Sequence, residues 1–225
     1  MDTMIQNLDQ TNSLLQAKNI SHSFDYQLFD NINLSLKNHE SIAIIGISGC
    51  GKSTFLNILS SLLTPDKGEV IYENKNIYKC KENELTEIRR DKFGIIFQSH
   101  YLFRGFNAQE NLEISSLLSG EPIDDNLIKS LNIDFVMDQN IGELSGGQQQ
   151  RLSIARVLTK KPAIIFADEP TGNLDPEIAL EILKLFEHAN SQGVTVIFAT
   201  HSAEMLKARD YRVINLGKGR LIPSK

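Results

Sequence analysis

The sequence predicts an α/β fold: a mostly parallel sheet flanked by helices, with an antiparallel β subdomain and an inserted α-helical subdomain. Apolar runs of strand length alternate with helical patterns along the chain, which is the order that a parallel sheet requires. Residues 14–40 and 69–78 instead alternate apolar and polar side chains, as antiparallel strands do. Residues 99–143 follow no single apolar periodicity, and we expect one or two helices there.

We expect a flexible tail at residues 1–13 and a single domain over residues 14–225, with the helical subdomain at about residues 99–160. The strongest strand candidates are apolar runs at residues 42–45, 95–97, 163–167, 194–199 and 211–215. A helix is predicted over residues 54–63, where apolar residues recur at helical spacing. Another begins after Asp175, an N-cap residue that Pro176 follows at the first helical position.

Length and composition limit the class of protein. With 225 residues, 41% of them hydrophobic, the chain can bury a sizeable core. The net charge of −5 argues against a nucleic-acid partner, whose binding face would be basic. No stretch approaches the roughly 20 apolar residues of a membrane span, and the first residues are too polar for a secretory signal. We therefore expect a cytoplasmic protein whose two cysteines are reduced thiols.

The most informative motif lies between the first apolar strand and the first helix. Residues 46–53 fit the pattern G-x-x-x-x-G-K-[ST], whose backbone N–H groups cradle phosphates. Lys52 would reach the β- and γ-phosphates, and the Ser53 hydroxyl would be a Mg²⁺ ligand. An ordinary turn matches this pattern about once in a hundred chains of this length. The predicted phosphate-binding residues are Gly46, Ser48, Gly49, Cys50, Gly51, Lys52, Ser53 and Thr54.

Two further segments indicate phosphate chemistry. Asp168 and Glu169 end an apolar strand, where Asp168 can hold Mg²⁺ and Glu169 can act as general base; solvated acids at a strand end are the alternative. Residues 144–148, Leu-Ser-Gly-Gly-Gln, open an amphipathic helix whose free N–H groups suit a γ-phosphate, although Ser145 alone is also a good N-cap. Because the chain has two phosphate-binding sites, we expect a second protein surface to close on the bound nucleotide.

Together these motifs resemble the ATP-binding subunit of ABC transporters over residues 14–222, and residues 144–148 match the hallmark of that family. The resemblance implies an ATPase with the cofactors ATP and Mg²⁺. It implies that two copies stack head to tail around two ATP molecules, each phosphate loop facing the other copy's Ser145, Gly146, Gly147 and Gln148. It also implies a separate integral membrane permease as partner, and a peripheral location at the cytoplasmic face of the inner membrane.

The family pattern implies roles for several single residues. Gln98 matches a glutamine that senses Mg²⁺ and the attacking water, His201 a switch histidine at the γ-phosphate, and Asp175 a loop that touches the opposite subunit. Phe24 is our choice for the ring that stacks on adenine, with Tyr26 second. The alternative interpretations are a loop amide for Gln98, a surface imidazole for His201, a helix cap for Asp175 and core aromatic residues for Phe24 and Tyr26. The predicted catalytic residues are Glu169, His201, Gln98 and Lys52, and the predicted metal ligands are Ser53, Gln98 and Asp168.

Within the family, residues 167–175 and 149–151 resemble the lipoprotein-releasing, macrolide-exporting and cell-division ATPases. We expect a transport ATPase of the lipoprotein-release or export type. A non-transport ABC ATPase, in cell-division signalling or iron–sulphur assembly, is the alternative, and a binding module without turnover is disfavoured because the catalytic residue types are present.

Two local features complete the expectations. Where the family has a glycine before the first core strand this chain has Asn38-His39, and we expect Asn38 to tolerate the left-handed backbone of that turn. The apolar cluster of Tyr101, Leu102, Phe103 and Phe106 is either core or a docking surface for the membrane partner.

Overall fold

The computed structural model describes residues 13–172, 174–201, 206 and 211–223. The expected tail lies outside these residues except for Ser13, which opens the first strand. The strands are β1 Ser13–Ser23, β2 Gln27–Lys37, β3 Ser41–Ile45, β4 Lys67–Tyr72, β5 Lys75–Asn76, β6 Phe93–Ile96, β7 Ile164–Asp168, β8 Thr195–Thr200, β9 Arg212–Gly217 and β10 Arg220–Pro223.

The strands form two sheets, as predicted. The larger sheet has the order β10-β9-β3-β8-β7-β6 and is parallel except for β10. The smaller sheet, β2-β1-β4-β5, is antiparallel throughout. The alternating segments thus became the antiparallel subdomain, and the apolar runs became the parallel strands, so the predicted α/β class is confirmed.

The helices are α1 Lys52–Leu59, α2 Glu82–Glu87, α3 Ala108–Ser119, α4 Asp125–Ser130, α5 Gly146–Thr159 and α6 Pro176–Ser191, with a π-helical turn at Ile88–Lys92. Helices α3, α4 and α5 occupy the predicted helical region. No helix in the described part of the chain is long and apolar enough to cross a bilayer.

Helix α1 is shorter than predicted because side chains from distant segments donate hydrogen bonds to carbonyl oxygens at its carboxyl end. The Tyr78 hydroxyl lies 2.6 Å from the carbonyl oxygens of both Ile58 and Leu63 and donates to one of them at a time. Ser61 has a left-handed backbone, φ 66°, and its carbonyl accepts a hydrogen bond from Arg89. The apolar periodicity continues beyond Leu59, but the helix does not.

The turn before β3 corrects another expectation. The left-handed residue is His39, φ 60°, and not Asn38. The His39 N–H donates to Thr195 Oγ1, and the Asn190 amide donates to the His39 carbonyl. These bonds satisfy the turn on both sides, which explains why it persists without a glycine.

The parallel sheet is buried on both faces. Ile42 and Ile44 of β3 pack into one core with α1 and the antiparallel sheet, whereas Ala43 packs into a second core with α5 and α6. Strands β7 and β8 alternate in the same way. Because both faces are covered, ligands reach the sheet only at its edges. The carboxyl ends of β3, β8 and β7 lie side by side at one such edge.

Candidate active site

A cleft of about 460 Å³ opens at this edge of the sheet. It is lined by most of the predicted site residues together with one aliphatic residue, Leu28. The lining consists of Phe24, Tyr26, Leu28, Ser48, Gly49, Gly51, Lys52, Ser53, Thr54, Gln98, Glu169 and His201. The two strands that precede Glu169 and His201 are hydrogen-bonded neighbours, which is why residues 32 positions apart meet here.

The phosphate loop owes its shape to glycines. Gly49 and Gly51 have φ of 77° and 103°, a backbone region that L residues rarely adopt, and Gly51 is the N-cap of α1. Gly46 is required for a different reason, since a Cβ there would lie 2.5 Å from the Leu216 carbonyl oxygen and 2.7 Å from Cys50 Sγ. Gly46 therefore packs tightly against β9 and against the Cys50 side chain.

Lys52 is buried, and its ammonium is turned onto the loop. Nζ donates to the carbonyl oxygens of Gly46, at 3.0 Å, and Ile47, at 3.3 Å. It also lies 3.5 Å from Glu169 Oε1. The positive charge is thus placed at the mouth of the loop, where an incoming phosphate would compete for the same N–H groups.

Asp168 and Ser53 form a second polar pair beside the loop. Burial raises the pKa of Asp168, and a hydrogen bond with Ser53 partly offsets this effect. Asp168 Oδ1 is buried and has no hydrogen-bond partner among the described residues. A carboxylate oxygen left without a partner beside a hydroxyl fits a divalent cation that prefers oxygen ligands.

The structure holds Glu169 firmly between two side chains. Its Oε2 lies 2.9 Å from His201 Nδ1 and accepts from the His201 backbone N–H, while Oε1 faces Lys52. Glu169 has a left-handed backbone, φ 47°, fixed by hydrogen bonds to the Ala199 and Gly172 backbones. Strained backbone of this kind persists where the surroundings over-determine it and is common at active sites. The carboxylate, 12% exposed, therefore has a defined position.

The remaining cleft residues come from loops. Gln98 follows β6 by two residues and is exposed on the cleft wall. Phe24 and Tyr26 lie in the turn between β1 and β2, and their side chains are 60% and 63% exposed. Leu28 lines the cleft next to them. Its apolar side chain in an alternating strand marks only a core position, so sequence reasoning had no signal for it.

The second predicted phosphate site is not brought to this cleft. Ser145 caps α5, and Gln148 Oε1 accepts from the Ser145 N–H at 2.7 Å. Ser145 and Gly146 are exposed, and neither lines the cleft. A Cβ on Gly146 would meet no atom within 4 Å. Among the residues that the structure describes, therefore, nothing in the packing requires a glycine at this position.

Asp175 is accounted for by its helix. Its Oδ1 accepts from the N–H groups of Glu177 and Ile178, both at 3.1 Å, at the start of α6. The predicted contact of Asp175 with an opposite subunit stays a prediction.

The apolar cluster after β6 is partly exposed and partly packed against the core. Tyr101, Phe103 and Phe106 are exposed by 63%, 48% and 43%, whereas Leu102 packs against the second core. The loop is held from below, since Arg156 donates to the Tyr101 carbonyl and Ser153 to the His100 carbonyl. These anchors were not predicted, because they depend on how α5 packs under the loop.

Comparisons with known proteins agree with this geometry. Residues 29–172 match the family described as ABC transporter. The lipoprotein-releasing system ATP-binding protein LolD of Aquifex aeolicus is 36% identical over 216 residues, which cover 93% of this chain and 96% of LolD. The macrolide export ATP-binding/permease protein MacB of Campylobacter jejuni is 35% identical over 92% of this chain, but the match covers 32% of MacB.

Solved structures give the same assignment. The ATP-binding cassette MJ0796, in a dimeric post-hydrolysis state bound to ADP and Pi, superposes with a TM-score of 0.84 at 33% identity, covering 94% of this chain and 97% of that one. CbiO1 of Clostridium perfringens, part of the ABC transporter complex CbiONQ, gives 0.82 at 29% identity over 94% and 87%. The motifs, the fold and these relatives together show that the chain belongs to the ABC transporter family, as an ATP-binding subunit.

Proposed function

We propose that the chain hydrolyses ATP in the cleft with Glu169 as general base and thereby drives a separate membrane subunit. The observation that carries this proposal is the position of Glu169 between Lys52 and His201, next to the half-buried Asp168. The phosphate loop binds the triphosphate, and Lys52 turns from the loop carbonyls to the β- and γ-phosphates. Glu169 takes the proton of the attacking water, whose oxygen forms the new bond to the γ-phosphorus as the bond to ADP breaks.

Mg²⁺ belongs to this proposal. Ser53, Asp168 and Gln98 are the residues that would hold it, and the unpartnered Asp168 Oδ1 supports the assignment. The described residues contain no cluster of His, Cys, Asp or Glu able to cage a metal alone, which suits an ion that binds mainly through phosphates and waters. When bound, the ion neutralises charge on the phosphates.

The proposed working form is a head-to-tail dimer with ATP in each interface. The open space at Gly146 supports this arrangement, because a glycine that its own chain does not need can admit a phosphate held by another chain. The family resemblance supplies the pairing of residues 145–148 with the opposite phosphate loop. Phe24, or else Tyr26, would stack on adenine.

The exposed loop after β6 is the proposed contact with the membrane subunit. Phe103 and Phe106 lie next to an open groove lined by Phe106, Glu110, Glu113, Ile114, Ser116 and Leu117. Its lining of apolar side chains and two glutamates suits a short amphipathic segment that carries basic residues. The likeness to LolD and MacB supports a lipoprotein-release or export complex at the cytoplasmic face of the inner membrane. Co-purification from solubilised membranes would identify the partner.

The test of hydrolysis is Glu169→Gln. The amide keeps the shape but cannot accept a proton, so we expect turnover to fall by about 10²–10⁴-fold, with ATP affinity changed by no more than about threefold. Gel filtration with ATP and Mg²⁺ should then show a trapped dimer. Glu87→Gln, an exposed acid on α2, is the matched control and should retain full activity. A Glu169→Gln variant that stays monomeric and hydrolyses ATP at the normal rate would contradict the proposal.

A further inference from the structure

His22, near the end of β1, is an unusually placed histidine. It is 6% exposed, and neither ring nitrogen has a hydrogen-bond partner among the described residues. Its nearest charged neighbour is Asp66, whose Oδ1 lies 3.4 Å from Nδ1. Burying a polar ring without hydrogen bonds is unfavourable. A leucine or phenylalanine would fill the same space without that penalty, so the ring is expected to serve another purpose.

The contact that distinguishes His22 is with Phe24. The two ring centroids are 4.9 Å apart and the planes are perpendicular, at 88°, which is the favoured edge-to-face geometry. On its other side His22 lies against buried Phe29, with centroids 6.4 Å apart. An exposed aromatic ring on the cleft wall is therefore supported by a ring that is itself embedded in the core.

The backbone around this ring pair is fixed as well. Asp66 Oδ2 accepts from both the N–H and the hydroxyl of Ser23, at 2.8 and 2.7 Å. These hydrogen bonds lower the pKa of Asp66, so it remains a carboxylate at neutral pH. The Phe24 N–H donates to the Tyr26 carbonyl. Among the described residues Tyr26 has no comparable ring partner, so Phe24 is the better immobilised of the two aromatic rings.

We propose that His22 is a positioning residue for the nucleobase: it holds the Phe24 ring in the orientation on which adenine stacks. A ring that is already ordered loses less side-chain entropy when a ligand binds. The energy of one edge-to-face pair corresponds to about two- to twelvefold in affinity. This inference rests on the proposed ATP site, but it concerns only the base and not the phosphates.

The test is His22→Leu in the full chain. Leucine keeps the buried volume and removes the unpartnered nitrogens, so the free energy of unfolding should not fall. We expect the Kd and KM for ATP to rise by about two- to twelvefold, with kcat unchanged. Affinity for inorganic tripolyphosphate, which has no base, should not change. His22→Phe, which restores an aromatic edge, should recover wild-type affinity, and His188→Ala on α6 is the surface control.

A double-mutant cycle completes the test. The His22→Leu effect should disappear in a Phe24→Ala background, because the ring that it positions is gone. The inference is overturned if His22→Leu leaves ATP affinity unchanged, weakens ATP and tripolyphosphate equally, or acts fully without Phe24. It is also overturned if Tyr26→Ala, and not Phe24→Ala, removes the contribution of the base. If the protein still hydrolyses ATP, any one of these outcomes refutes only the role of His22. A wild-type chain without ATPase activity would instead refute the proposed function.

Discussion

Single residues in the cleft combine predicted chemistry with a geometry that could not be predicted. The adjacent acids Asp168 and Glu169 at the end of an apolar strand predicted a metal ligand and a general base. In the structure these two side chains have different surroundings. Asp168 is half-buried, with a pKa raised by desolvation and one oxygen that has no hydrogen-bond partner among the described residues, whereas Glu169 is held by Lys52 and His201. This division depends on side chains from the ends of β7 and β8 and from the start of α1, which no local pattern brings together.

The charge of Lys52 is tested by Lys52→Met, which keeps the buried aliphatic stem but removes the ammonium. Loss of charge-assisted hydrogen bonds to phosphate should weaken ATP binding by about 10- to 150-fold. Titration with a fluorescent ATP analogue measures this change. Lys79→Met, an exposed lysine on the antiparallel subdomain, is the control. Equal affinity in the two variants would show that Lys52 does not contact the nucleotide.

At the scale of helices and strands, local signals placed the elements but not all of their ends. Asp175 and Pro176 correctly marked the start of α6 because a cap is formed by residues that are neighbours in sequence. Helix α1 stopped before its apolar pattern did, because Tyr78 and Arg89 come from distant segments. Strand β6 begins two residues earlier than predicted, since its first residues, Phe93 and Gly94, pair with β7.

The cap on α6 makes a stability prediction. Asp175→Ala removes the acceptor for two N–H groups and should lower the free energy of unfolding by about 1 kcal/mol. Asp175→Asn should retain most of that stability, because asparagine caps helices nearly as well. Urea denaturation of the ATP-free protein measures both. An Ala variant as stable as the wild type would contradict the capping role, and lost hydrolysis in a stable Asn variant would support a contact with the second subunit.

At the scale of the whole molecule, one chain presents half of the proposed machinery. The cleft is lined by the phosphate loop and Glu169, while Ser145 and Gly146 are exposed at the start of α5. The exposed aromatic residues Tyr101, Phe103 and Phe106 lie on the loop that begins with Gln98 at the cleft wall. A partner that docks on these rings would therefore contact the same segment that reaches the nucleotide.

Dimer formation is tested by Gly146→Ala. The added methyl group lies within 4 Å of no atom of the described residues outside its own helix turn, and alanine favours the helix, so the free energy of unfolding should stay the same or rise by up to about 1 kcal/mol. The same methyl group would obstruct a phosphate held by the opposite subunit. Gly146→Ala in the Glu169→Gln background should therefore abolish the ATP-dependent dimer, as measured by light scattering. Gly142→Ala, where a Cβ is equally unobstructed, should leave the dimer intact.

The sequence by itself determined the chemistry and the family. The informative patterns are local: glycines at fixed offsets, a lysine at the start of a helix and acids at the end of a strand. Local patterns can be recognised without knowledge of the fold. The tertiary structure alone decided which of these residues meet. The strand order β3-β8-β7 brings Lys52, Glu169 and His201 to one edge, because a sheet buried on both faces leaves its carboxyl ends as the open surface. It also fixed the turn that carries Phe24 through hydrogen bonds from Ser23 to the distant Asp66 and left Ser145 and Gly146 exposed at the start of α5, since both depend on packing between segments that are distant in sequence.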